Sequence, residues 1–146
     1  GCDGSEPGRN YFTDFADLTP KDSFILTMGC GKYRINGTDH GTHLGLPRLL
    51  DMGQCNDSYG AVKVALALAD AFQCGVNDLP LTITLSWFEQ KAVAVLLSLL
   101  ALGVKGIRIG PNPPGFLTAN VAGYLKKEFD LDVTREAKAD MALALA

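Results

Sequence analysis

The segment from Leu81 to Ile109 restricts the possible folds more than any other part of the chain. Pro80 opens a run with β-branched Thr82, Ile83 and Thr84 that ends at Ser86, and this reads as a strand. Trp87-Phe88-Glu89-Gln90-Lys91 leads into an apolar helix reaching Leu102, with Gly103 as its stop. Val104 to Ile109 is a second run of strand type. Strand, helix and strand with short connections make a βαβ unit, whose strands are parallel and whose crossover is nearly always right-handed. The expected class is therefore α/β: an open, mainly parallel sheet flanked by helices on both faces, Rossmann-like in arrangement.

The flanking segments are compatible with that class. Gly8 to Leu18 carries Tyr11, Phe12, Phe15 and Leu18 at near-helical spacing, and Pro20-Lys21 ends the pattern. Ser23 to Met28 reads as a short buried strand, Tyr33 to Gly45 as a polar loop, and Leu46 to Met52 as a short extended or helical piece. Ala61 to Gln73, with Lys63 and Asp70 as its only charges, reads as a mostly buried helix closed by Gly75. After the loop Gly110 to Gly115, Phe116 to Phe129 reads as an amphipathic helix and Leu131 to Val133 as a last strand. Residues 1–134 are expected to form one α/β domain. The Ala-rich tail, 135–146, is either a helical extension or a remnant foreign to the domain.

Composition excludes several function classes. A net charge of −3 without a basic block gives no nucleic-acid footprint. The most apolar run, Ala92 to Leu102, is too short to span a membrane, which needs about 18 or more residues. The opening Gly1-Cys2-Asp3-Gly4, without Met, reads as an internal stretch of something longer. Four cysteines in a chain with long apolar helices point to reduced thiols and an intracellular, cytoplasmic setting, not to a disulfide scaffold.

Three of those cysteines share a context: Gly1-Cys2-Asp3-Gly4, Gly29-Cys30-Gly31-Lys32 and Gly53-Gln54-Cys55-Asn56-Asp57. Glycine permits tight turns and close backbone approach to a bound group. Cys30 also follows a predicted strand, at the end where open α/β sheets place their ligands. Separations of 28 and 25 residues exclude zinc-ribbon and ferredoxin patterns. Two readings stay open: metal ligands converging from separate strand ends, or buried cysteines acting as small hydrophobes. Cys74, at the end of an apolar helix, reads as a packing residue. Glu89 sits just past a strand, in the favourable field of a helix N-terminus, and Lys91 follows in an otherwise apolar helix. Their structural roles would be a cap and a lysine reaching water. His40 and His43 lie in a polar segment and are expected to be solvated.

These motifs together resemble the hybrid-cluster protein family, the hydroxylamine reductases or prismane proteins. Gly1-Cys2-Asp3-Gly4 with Pro7-Gly8-Arg9-Asn10-Tyr11 is similar to the stretch around the family's persulfide-forming cysteine. Cys30-Gly31-Lys32-Tyr33-Arg34 resembles the second cluster cysteine and its neighbours. Gly45-Leu46-Pro47-Arg48-Leu49-Leu50-Asp51 followed by Gly53-Gln54-Cys55-Asn56-Asp57 resembles the third. Gly75-Val76-Asn77-Asp78-Leu79-Pro80 and Ser86-Trp87-Phe88-Glu89-Gln90-Lys91-Ala92 resemble the region of the carboxylate ligand. The resemblance runs in order from Gly1 to Val133.

The resemblance implies a hybrid iron–sulfur–oxygen cluster of the 4Fe-2O-2S type. Cys2 would be its persulfide-bearing ligand, Cys30 and Cys55 thiolate ligands, and Glu89 an oxygen ligand. Lys91 would stand beside it, supplying positive charge or a proton, so that Glu89 and Lys91 are the catalytic candidates. Soft thiolates with a hard carboxylate suit a cluster with sulfide and oxo sides. The implied substrate is a small nitrogen oxide, hydroxylamine (to ammonia) or nitric oxide. A His, a carboxylate and a further Cys would come from upstream domains, as would a second 4Fe-4S or 2Fe-2S cluster fed by an electron-donor redox protein. The isolated chain is then expected to be inactive. Two rivals are a carbon monoxide dehydrogenase-like cluster domain and a stand-alone, metal-free α/β binding module.

Overall fold

The computed structural model describes residues 10–85 and 90–146. Helix α1 (Tyr11–Leu18) forms where the aromatic residues recur at helical spacing and ends before Pro20. Strand β1 (Ile25–Thr27) follows and leads to a 3₁₀ turn, Cys30–Arg34. The loop beyond it contains a small antiparallel hairpin, β2 (Thr42–His43) and β3 (Leu46–Pro47). Strand β4 (Leu49–Asp51) then lies parallel to β1, with Ile25 opposite Leu49 and Thr27 opposite Asp51. A second 3₁₀ turn, Cys55–Asp57, runs straight into α2 (Ser58–Ala71).

The second half is β5 (Ile83–Leu85), α3 (Gln90–Ala101), β6 (Ile107–Ile109), α4 (Ala119–Phe129), β7 (Asp132–Val133) and α5 (Ala137–Ala144). Strands β5, β6 and β7 form one parallel sheet in sequence order, with Leu85 opposite Ile109 and Ile109 opposite Val133. The expected βαβ unit is therefore present, and α4 adds a second crossover. Ile107 and Ile109 lie two apart on a strand and share one face, while Leu96 and Leu100 lie four apart on α3. All four are buried with Val104 and Leu131 in a single cluster, lined by Ile83, Leu85, Leu125 and Phe129. Burying each large aliphatic side chain contributes about 1.5–3 kcal/mol. Gly103, at φ 77°, ends α3 as expected: its N–H donates to Leu100 O and the next N–H, of Val104, to Leu99 O.

Three features differ from the sequence reading. The parallel strands are divided between two small sheets, β1-β4 and β5-β6-β7. Strands of two or three residues offer few ladder bonds, and the loop between β1 and β4 pairs with itself instead of widening a sheet. Helix α2 is not mostly buried: Ala69 is, but Leu66 is 53% and Phe72 71% exposed. Its composition is apolar, yet burial needs a covering surface, and the described residues do not cover that face. Its stop is also not Gly75, which has φ −78°. Gln73 takes the left-handed position at φ 55°, with the Cys74 N–H bonded to Ala69 O.

The segment 135–146 is helical and docks on α1. Ala137 joins Tyr11 and Phe12 in a small apolar cluster, and the Tyr11 hydroxyl donates to Asp140 Oδ2 over 2.8 Å. Burial first, and then this bond to a carboxylate, push the Tyr11 pKa far above its usual range. No described helix is long and apolar enough to cross a membrane.

Candidate metal centre

Because β1 and β4 are parallel neighbours, the turns that follow them leave the pair at the same edge. One turn carries Cys30 and the other Cys55, so turns 25 residues apart in sequence leave neighbouring strand ends. A hydrogen bond from Gly29 N–H to Gly53 O, 2.9 Å long, joins the turns directly. Gly29 has φ 72°, and a Cβ built on it would stand 3.2 Å from the Cys55 sulfur. Its glycine identity therefore serves both a left-handed backbone and the close approach of a thiol. Gly53, at φ 94°, is equally constrained, because a Cβ there would collide with the Asp57 carboxylate. That carboxylate is committed to capping: Asp57 Oδ2 accepts from Gln54 N–H at 2.7 Å, at the start of the Cys55 turn. The Ser58 hydroxyl donates to Cys55 O at 2.6 Å and closes the turn from its other end.

A charged pair spans the two turns. Lys32 Nζ lies 2.9 Å from Asp51 Oδ1, and the same oxygen accepts the Gly53 N–H at 2.8 Å. Lys32 is only 8% exposed, although it is a lysine in a turn of five residues. The bond to Asp51 raises the Lys32 pKa. Asp51 is held below the usual carboxylate range, by Lys32 first and the Gly53 amide second. Arg48 stabilises the same region from behind. It is 4% exposed and donates to the carbonyls of Ser23, His40, Thr19 and Pro20. Four carbonyls satisfy a guanidinium that would otherwise be costly to bury. The sequence reading missed both cations, which stood in the quoted motifs without a role. The available signal was a charge placed within an otherwise glycine- and cysteine-bearing turn.

The remaining candidates fall as follows. Cys30 is exposed and Cys55 and Cys74 are half-buried, all three as free thiols. Cys2 and Glu89 lie outside the described residues. Lys91 is exposed on the first turn of α3, a helix that packs against the Cys55–Asp57 turn. His40 and His43 are not simply solvated. The ring of His40 bonds Ile35 O at 2.9 Å through Nε2, and that of His43 lies edge-on to Phe24 with centroids 5.3 Å apart. Both histidines are half-buried structural residues.

Two soft thiol donors at adjoining strand ends fit an iron–sulfur type of centre in donor chemistry. They do not complete one: among the described residues, no group of three or more His, Cys, Asp or Glu could hold a metal ion.

This is an α/β domain with two joined cysteine-bearing turns at the C-terminal ends of parallel strands. The chain belongs to the prismane/CO dehydrogenase family, which it matches over residues 1–143. It is 58% identical over 146 residues to a hydroxylamine reductase of Burkholderia ambifaria (strain MC40-6), covering all of this chain and 26% of that protein. It is 58% identical over 145 residues to that of Geobacter metallireducens (99% of this chain, 26% of the relative). Identity to the Acidithiobacillus ferridurans hydroxylamine reductase is 60% over 148 residues, with 100% and 27% coverage. The chain therefore spans about a quarter of the length of these relatives.

Among solved structures, it resembles a Ni-free carbon monoxide dehydrogenase from Thermococcus sp. AM4, with TM-score 0.70 and 23% identity over 92% of this chain and 25% of that one. Carbon monoxide dehydrogenase IV from Carboxydothermus hydrogenoformans gives TM-score 0.72 and 16% identity, covering 92% and 26%. At these identities the likeness is one of fold. The family match and the relatives extend past Val133, where the sequence reading ended its resemblance, into the α5 segment.

Proposed function

We propose that this chain is the C-terminal cluster-binding portion of an iron–sulfur–oxygen reductase that converts hydroxylamine to ammonia, with nitric oxide as a further substrate. The observation that carries this reading is the pairing of Cys30 and Cys55 at one edge of β1-β4, in a chain about 58% identical to hydroxylamine reductases. In this reading Cys30 and Cys55 hold a hybrid cluster as thiolates, Cys2 as a persulfide and Glu89 through oxygen. The bound cluster supplies an iron site for the substrate nitrogen and the electrons for breaking the N–O bond. Hydroxylamine reduction consumes two electrons and two protons and releases ammonia and water. Lys91, exposed on the first turn of α3, supplies a positive charge and a proton as the bond breaks. Residues outside this chain complete the ligand set, and a 4Fe-4S or 2Fe-2S cluster there passes electrons from an intracellular redox partner. The β5-α3-β6-α4-β7 unit is the Rossmann-like support, and in sequence Glu89 falls between its β5 and α3.

A carbon monoxide dehydrogenase-like role is the second reading, favoured by the structural neighbours. Their identities of 23% and 16% are far below the 58–60% of the reductases, which favours the first. The test is anaerobic purification of the complete enzyme with Cys30→Ser or Glu89→Ala, followed by iron analysis and a hydroxylamine-dependent dye oxidation assay. Both variants should lose cluster iron and turnover together, and the wild type should contain no nickel. Full iron and full turnover in either variant would remove that residue from the ligand set, and stoichiometric nickel would move the protein to the second reading.

A further inference from the structure

The two cysteine turns are joined by a closed ring of contacts. Gly29 N–H bonds Gly53 O at 2.9 Å, Gly53 N–H bonds Asp51 Oδ1 at 2.8 Å, and Asp51 Oδ1 bonds Lys32 Nζ at 2.9 Å. Lys32 N–H returns to Gly29 O at 3.4 Å, which completes the ring through the Cys30 turn itself. Gln54 Nε2 and the Tyr33 hydroxyl add an outer contact at 3.4 Å. Backbone bonds in a β-ladder fix strand spacing, but β1 and β4 end at Thr27 and Asp51, before either cysteine. Beyond the ladder, the Lys32–Asp51 bond ties the Cys30 turn to the end of β4 that leads into the Cys55 turn.

We infer that Lys32 and Asp51 are positioning residues, a clamp between a buried lysine and a surface carboxylate that sets the separation and orientation of the Cys30 and Cys55 thiols. Exposed ion pairs contribute little because water screens them and side-chain freedom opposes them. This pair differs because Lys32 is buried and because Asp51 is fixed a second time by the Gly53 amide. Either a lysine or an arginine would supply the charge; an isosteric methionine would supply only the packing. The role of the thiol pair as cluster ligands rests on the proposed reading, whereas the clamp geometry stands without it.

The test uses the 146-residue chain with Cys2→Ser and Cys74→Ser, so that Cys30 and Cys55 are the remaining thiols. Phenylarsine oxide condenses with two neighbouring thiols, forming two As–S bonds and releasing one water, and it needs no iron. Its affinity should fall about tenfold or more with Lys32→Met and with Asp51→Asn, and should be largely restored with Lys32→Arg. Circular dichroism establishes folding for each variant. Should Lys32→Met fail to fold, the exchanged pair Lys32→Asp with Asp51→Lys decides: near-parental affinity supports the clamp, and tenfold-weaker affinity in a folded chain overturns it. Unchanged affinity in folded Lys32→Met and Asp51→Asn would also overturn it, as would absence of two-thiol capture in the parent chain. Iron analysis of the complete enzyme is a separate readout: an iron-free wild type alongside the arsenical result expected above would sink the cluster reading and leave the clamp intact.

Discussion

The two halves of this chain are held together by different physics. The β5-β6-β7 half closes on Leu96, Leu100, Val104, Ile107, Ile109 and Leu131, a continuous apolar cluster. The β1-β4 half has no comparable cluster among the described residues, and its buried side chains include Arg48, Lys32 and Thr27. It is organised by directed bonds: Arg48 to four carbonyls, Lys32 to Asp51, and Asp57 to the head of the Cys55 turn. Apolar packing is strong but tolerant of small displacements, whereas hydrogen bonds fix direction at modest net gain. A scaffold suits the first and a pair of ligand-bearing turns suits the second. The proposed site therefore sits on the half whose geometry is set by bonds.

Substitutions in the two halves should separate these modes. The largest effect belongs to the apolar half: Ile107→Ala removes a fully buried side chain and should cost about 2–5 kcal/mol, read from urea denaturation. Arg48→Met should cost somewhat less, about 3 kcal/mol, by stripping a charged donor from four carbonyls. Its effect should be local. Hydrogen exchange should speed at Ile25 N–H, which bonds Arg48 O, and at Met52 N–H, while Ile109 stays protected. Equal acceleration in both halves would break the comparison. Tyr11→Phe should cost about 2 kcal/mol by removing the bond to the buried Asp140 carboxylate, measured as a lowered thermal midpoint.

Gly29→Ala should cost about 1–2 kcal/mol for an L-residue at φ 72°. Its added methyl would also press on the Cys55 sulfur, so two-thiol capture should weaken more than the stability change alone requires. The smallest effect is the pH dependence of the Lys32–Asp51 clamp. Asp51 is shifted below its ordinary 3.8, so its contribution is present above that pH and is lost as pH falls below it. Lys32 is shifted above its ordinary 10.5, so its contribution is present below that pH and is lost as pH rises beyond it. The difference in thermal midpoint between the parent chain and Asp51→Asn should hold steady between these limits and narrow below 3.8. A difference that grows on acidification would contradict the assignment.

The sequence disclosed the self-sufficient half better than the site-bearing one. Alternating Ile107-Arg108-Ile109 and the spaced leucines of α3 satisfy each other within one βαβ unit, so period and caps were enough to read them. Gly103 announced its helix end, but Gln73 did not, because left-handed glutamine carries no compositional signal. Burial of α2 was overestimated since apolar composition says what a face can bury against, not whether that surface is at hand. Cys30 and Cys55 were legible as candidates from their glycine turns. Their adjacency was not, because it depends on the parallel register of β1 and β4 across a polar loop. Lys32, Asp51 and Arg48 were hidden for the same reason: Lys32 and Asp51 pair across 19 residues, and three of the four carbonyls that Arg48 holds lie 25 to 29 residues away.

The most direct measurement is iron bound per molecule of the complete enzyme, compared for Cys55→Ser and Cys74→Ser under strictly anaerobic purification. Cys55 belongs to the joined turns, whereas Cys74 lies past the far end of α2. Cys55→Ser should lose most of the hybrid-cluster iron, while Cys74→Ser keeps the wild-type content. Wild-type iron in Cys55→Ser, or equal loss in both variants, would contradict the claim that the paired turns form one side of the metal centre.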